Sequence, residues 1–133
     1  MRQATMVNQI NDAIGAHGMW KLQLRTAIST GRSHISARDA CRDDQCAFGK
    51  WLHGADIDAT TKAGMPYQVV RRLHAEFHTC AGNVLNQMER GNAPGAIALL
   101  DGEYTQRTDK LVRALTKWKR ELSQSTAIGR TAA

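Results

Sequence analysis

Between Pro66 and Arg90 the chain repeats apolar residues at Val69, Leu73, Phe77, Cys80 or Ala81, Val84 and Met88, at spacings of three and four. That period fits the 3.6 residues of an α-helical turn, so the stretch predicts one long helix with a single buried stripe. Pro66 suits its first turn, and Gly91-Asn92 suits its end. The same helix carries His74-Ala75-Glu76-Phe77-His78. Four residues advance a helix by only about 40°, so His74 and His78 leave it from nearly the same side. Such a pair is half of a tetrahedral metal site, and imidazole suits zinc. Two unconnected helix histidines would give the same pattern. A metal needs two more ligands from elsewhere.

Two further stretches carry the helical period. From about Thr5 to Ser29, Val7, Ile10, Ile14, His17, Leu24 and Ile28 form a stripe, with Trp20 one turn beyond His17. Thr30-Gly31-Arg32-Ser33 breaks it. Past Pro94, Ile97, Leu100, Tyr104, Leu111, Leu115, Trp118 and Leu122 repeat likewise, with Thr108 a polar break. The pattern lapses from Ser123 to Ala133, which predicts a loose tail. Asp43-Asp44 before Gln45-Cys46-Ala47-Phe48-Gly49-Lys50-Trp51-Leu52 reads as the acidic start of a short helix. A cysteine in a first turn meets free N–H donors and the positive end of the helix dipole, which favour thiolate. Gly54 to Gly64 reads as a linker. The expected fold is all-α: an antiparallel four-helix bundle with a short additional helix carrying the cysteine. One domain should fill residues 1–133, with its core at about 5–122.

Composition narrows the function. No apolar run approaches the roughly 20 residues of a membrane span, and Met1-Arg2-Gln3-Ala4-Thr5 opens no signal peptide. A cytoplasmic domain without membrane insertion is expected, free-standing or cut from a larger chain. The net charge of +6 raises nucleic acid as a partner. Its densest basic cluster, Lys117, Lys119 and Arg120, is interleaved with apolar helix residues and reads as a solvated face, so no nucleic-acid partner is expected. Three cysteines do not make a disulfide framework; a metal-binding or redox thiol fits better.

His17, Cys46, His74 and His78 together supply three imidazoles and one thiolate, all on or beside apolar faces. Four protein ligands without a vacancy describe a closed site, structural or sensory rather than hydrolytic. The blocks Ala16-His17-Gly18-Met19-Trp20, Cys46-Ala47-Phe48-Gly49-Lys50-Trp51-Leu52 and His74-Ala75-Glu76-Phe77-His78 resemble, in order and separation, the chemoreceptor zinc-binding (CZB) domain family. The resemblance spans roughly Met6 to Leu122. It implies a helical bundle holding Zn2+ through His17, Cys46, His74 and His78, commonly as a homodimer. It also implies control of a chemoreceptor signalling module or a diguanylate cyclase, in cis or in trans. In some members the zinc-bound cysteine is implicated in sensing hypochlorous acid, which would make Cys46 a redox switch. Neither a long receptor coiled coil nor a second domain of cyclase size is expected within residues 1–133, so the target is expected on a separate protein or on a larger chain from which this one is cut.

The remaining candidates receive plainer expectations. Cys41 is either an idle loop thiol or a resolving partner for oxidised Cys46. Cys80 and Glu76 lie about 200° around the helix from His78 and His74, so Cys80 is expected in the core and Glu76 off the metal. His34 and His53 should be solvated. Asp12, Asp39, Asp43 and Asp44 are candidate acceptors for an imidazole N–H. A metal hydrolase needs Glu directly after the first histidine, where Ala75 stands. A di-iron bundle needs Glu-x-x-His pairs, which the sequence lacks. The chain is therefore expected to be a sensor rather than an enzyme, with a helix-bundle metalloenzyme or di-iron oxygen-binding protein as the alternative.

Overall fold

A computed structural model describes the backbone of residues 2–132 and the side chains of residues 5–124. Seven α-helices and one π-helical turn make up these residues, with no strand among them. In chain order they are α1 (Arg2–Thr30), α2 (Ala37–Ala40), α3 (Ala47–Leu52), α4 (Ala59–Ala63), α5 (Met65–Glu89), α6 (Ala93–Leu99), the π turn (Leu100–Tyr104) and α7 (Thr105–Ala132).

α1 and α5 coincide with two of the periodic stretches, while the one past Pro94 is divided among α6, the π turn and α7, with Ile97 exposed rather than buried; α5 is their hub. It packs on α7, α6, α2 and α1. Ile10, Leu24, Phe77, Val84, Leu85, Leu111 and Leu115 are buried where these faces meet, while the half-buried Ile14, Val69, Met88 and Leu122 close the margins. At roughly 1.5–3 kcal/mol per fully buried aliphatic or aromatic side chain, this stripe is the main favourable term in the fold. Local signals end the helices where the sequence places them. Gly91 takes φ +79° past α5, Gly91 N–H donates to Met88 O at 2.9 Å, and Asn92 N–H donates to Gln87 O at 2.8 Å. A side chain at that φ would be strained.

Four features depart from the sequence expectation. The stretch Gly54 to Gly64 is not simply a linker, because Asp58 caps α4 by accepting from Thr61 N–H at 2.7 Å. The polar stretch after Ser36 forms α2, capped by Ser36 Oγ accepting from Asp39 N–H at 3.1 Å. The last helix is interrupted by the π turn, which sets Leu100 and Tyr104 both in the core. Finally, the backbone of α7 stays helical through residues 123–132, where a loose tail was expected; Ala133 and the side chains beyond 124 lie outside the described residues.

Candidate metal centre

Each of the four donors reaches the centre from its own local logic. His17 lies on the buried stripe of α1, and His74 and His78 stand one turn apart on α5; all three are at most 1 % exposed. Cys46 is the N-cap of α3, with extended backbone (φ −75°, ψ 161°) and its Sγ accepting from Gly49 N–H at 3.2 Å. The cap is therefore the cysteine itself, not the acidic pair before it. Asp43 instead accepts from the His53 ring at 2.9 Å, and Asp44 sits 3.7 Å from Arg42.

These elements bring one donor atom from each residue to within 4.8 Å of every other. His74 Nε2 is central: it stands 3.2 Å from His17 Nε2, 3.1 Å from His78 Nε2 and 3.4 Å from Cys46 Sγ. Cys46 Sγ is 3.5 Å from His78 Nε2. Donors around a tetrahedral zinc stand roughly 3.3–3.7 Å apart, given bonds of roughly 2.0–2.3 Å. Nitrogen and sulfur donors at these separations fit that ion, and carboxylates play no part in the cluster.

Aromatic rings wall the imidazoles. Phe77 lies edge-on to His17 at 4.8 Å and to His78 at 5.1 Å, Phe48 to His74 at 5.1 Å, and Trp20 to His78 at 5.6 Å. α3 is held in place at both ends. Tyr67 Oη donates to Leu52 O at 2.8 Å, and a Cβ on Gly49 would collide with the carbonyl oxygen of Asp43. Glycine is required there because the loop before Cys46 crosses directly over the helix backbone.

Burial dominates the electrostatics. It pulls His17 down to about 4, with the Ala13 carbonyl opposing and His78 adding to the fall. It pulls His74 down to about 2, helped by the neighbouring His78 and His17. His78 is lowered by burial as well, against the opposing Ala40 carbonyl and the Asp43 carboxylate. The three rings are thus neutral near pH 7, the form that ligates metal. The Cys46 thiol is pushed up, because burial outweighs the Gly49 and Phe48 N–H groups that favour thiolate. The sequence expectation of an intrinsically acidic thiol is corrected here: the helix N-terminus is present, but desolvation is the larger effect.

The acceptors behind the rings are main-chain carbonyls rather than any of Asp12, Asp39, Asp43 or Asp44. His17 Nδ1–H donates to Ala13 O at 2.7 Å, and His78 Nδ1–H to Ala40 O at 3.0 Å. Ala40 belongs to α2, which begins at the capping pattern Ser36-Ala37-Arg38-Asp39. Away from the cluster, Cys80 is buried and pushed up to about 11 by burial, Glu76 accepts from Arg107 at 2.8 Å, and Cys41, His34 and His53 are exposed.

Among known protein families, the chemoreceptor zinc-binding domain matches residues 17–85, just over half of the chain. The span is narrower than the resemblance read from the sequence, yet it contains all four donors. No curated protein and no solved structure matches the chain. A match of that length, closing around three neutral imidazoles and a thiol, places the protein in the chemoreceptor zinc-binding domain family, a family of zinc-binding regulatory domains.

Proposed function

We propose that the protein is a non-catalytic sensor that holds one zinc ion through His17, Cys46, His74 and His78 and reports oxidation of Cys46 or a change in zinc supply. The observation that carries this reading is the convergence of those four donors, with Cys46 alone among them not fully buried. Bound zinc would hold the sulfur as thiolate, the form that reacts with oxidants, although burial alone favours the thiol. The Cys46 thiolate and hypochlorous acid give sulfenic acid and chloride. Oxidised Cys46 is a poorer ligand and a poorer N-cap for Gly49 N–H. Loss of the cap frees α3, with Phe48, Trp51 and Leu52, to repack against α5 and Trp118.

The output of that motion is a chemoreceptor signalling module or diguanylate cyclase, in cis or in trans, following the family context. A homodimer is part of the same proposal. Its support is the exposure of Met19 and Leu22 on α1, at 54 % and 59 %, together with the commonness of closed two-fold pairing. Residues 1–133 acting as one domain in the cytoplasm complete the reading; no helix among the described residues is long and apolar enough to cross a membrane.

Elemental analysis of protein purified without added metal tests the centre: one zinc per chain and no iron is expected, and two irons would favour a di-iron protein instead. Mass spectrometry after sub-stoichiometric hypochlorous acid tests the switch. Cys46 should be modified before Cys41 and Cys80, with zinc released in step. First reaction at Cys41 or Cys80, or zinc retained on a chain oxidised at Cys46, would overturn it.

A further inference from the structure

The three imidazoles of the cluster are not equivalent. His17 and His78 each anchor Nδ1–H on a main-chain carbonyl, Ala13 O and Ala40 O. That bond fixes the proton on Nδ1 and leaves Nε2 as a bare lone pair facing the centre. His74 has no such anchor. Its Nδ1 is fully buried and has no hydrogen-bond partner, one of only two buried side-chain nitrogen or oxygen atoms so placed among the described residues. Its Nε2 lies between the two fixed lone pairs, 3.2 Å from His17 Nε2 and 3.1 Å from His78 Nε2.

From this asymmetry we infer that His74 is the tautomeric hinge of the centre: it carries its proton on Nε2 when the protein is metal-free and on Nδ1 when zinc is bound. The inference rests on the four-ligand reading given above. Without metal, a proton on His74 Nδ1 would leave three nitrogen lone pairs facing one another and a buried N–H with no acceptor. With the proton on Nε2, His74 donates to His17 Nε2, and the Cys46 S–H, 3.5 Å away, can donate to His78 Nε2. The four side chains then close a hydrogen-bonded set in the arrangement that accepts the metal. With zinc bound, the Nε2 lone pair must be free, so the same proton sits on Nδ1, reached by exchange with solvent, and points at nothing. No proton is gained or lost by the ring; only its position changes. His74 is thereby the ligand whose ligation leaves a buried donor unpaired, which weakens zinc binding relative to a centre with three anchored rings.

Nitrogen-detected NMR of the histidine rings tests this on the unmodified, ¹⁵N-labelled protein, with and without one equivalent of zinc at neutral pH. The expected result is that the pyrrole-type and pyridine-type signals of His74 exchange places on zinc addition, while His17 and His78 keep Nδ1–H in both samples. Assignment follows from His17→Asn, His74→Asn and His78→Asn variants, each needed only to remove one ring's signals. Zinc shifts on all three rings, with His74 already Nδ1–H in the chelated sample, would overturn the hinge and leave the four-ligand site standing. A hinge at His17 or His78 would overturn it equally. Rings that do not respond to zinc at all would overturn both the hinge and the site.

Discussion

At the scale of single residues, the buried imidazoles set how the protein responds to acid. Folding holds His17 at about 4 and His74 at about 2, and lowers His78, whereas the unfolded chain returns each to near 6.5. The unfolded state therefore binds the extra protons. Stability from these groups is complete above about pH 6.5 and is lost as pH falls from there toward the folded values, at up to about 1.4 kcal/mol per pH unit for each group. Chelated protein should show a melting temperature that drops between pH 6.5 and 5. A flat profile would show that the rings are not held neutral. The raised thiol leads to a second expectation. At the proposed four-ligand site the imidazoles are already neutral and only Cys46 would give up a proton on zinc uptake, so affinity should rise about tenfold per pH unit between about pH 6 and 8. Calorimetry in buffers of differing ionisation enthalpy should count about one proton released. Three or four would contradict the assigned ionisation states.

At the scale of elements, two close approaches and one hydroxyl position the clustered side chains. A Cβ at residue 82 would lie 2.7 Å from Cys41 Cβ and 3.0 Å from Ala37 O, so α2 can press on α5 only against glycine. Gly82→Ala should lift α2, draw Ala40 O away from His78 Nδ1 and cost about 1–3 kcal/mol. Loss of that acceptor should also lower zinc affinity about 10–100-fold. Gly49→Ala should act likewise on Cys46, since the clash is with backbone. Tyr67→Phe removes the bond to Leu52 O and should cost about 1 kcal/mol. Chemical unfolding and a competitive zinc assay separate the effects. Unchanged zinc affinity in both glycine variants would mean that α2 and α3 do not position the donors.

At the scale of the whole molecule, the clustered donors join α1, α3 and α5, while α5 packs also on α6 and α7, which carry none of the four donors. A site absent from the unfolded chain contributes its binding energy to folding, by RT ln(1 + [L]/Kd). Zinc at a hundredfold excess over Kd should thus add about 2.7 kcal/mol, and chelation should lower the melting temperature without abolishing helical circular dichroism. An unchanged melting curve after verified metal removal would sink the coupling. Sedimentation at tens of micromolar should give a dimer; a monomer would remove the proposed pairing.

The sequence by itself determined the long helices and most of the stripe each buries, Ile97, which is exposed, being the exception, because a period of three and four is a local property of the chain. His74 and His78 were legible as a pair for the same reason: one helix fixes their spacing. Gly49 stood out in the cysteine block, yet its purpose appears only where the Asp43 carbonyl crosses over it. Tertiary structure decided what depends on residues far apart in sequence. It selected Ala40 O over any aspartate as the acceptor for His78, made Cys46 its own helix cap, and let burial outweigh the helix N-terminus at the thiol. It also left His74 Nδ1 without an acceptor. Hydrogen-bond partners and desolvation are set by what packs against a side chain, and local periodicity carries no record of that.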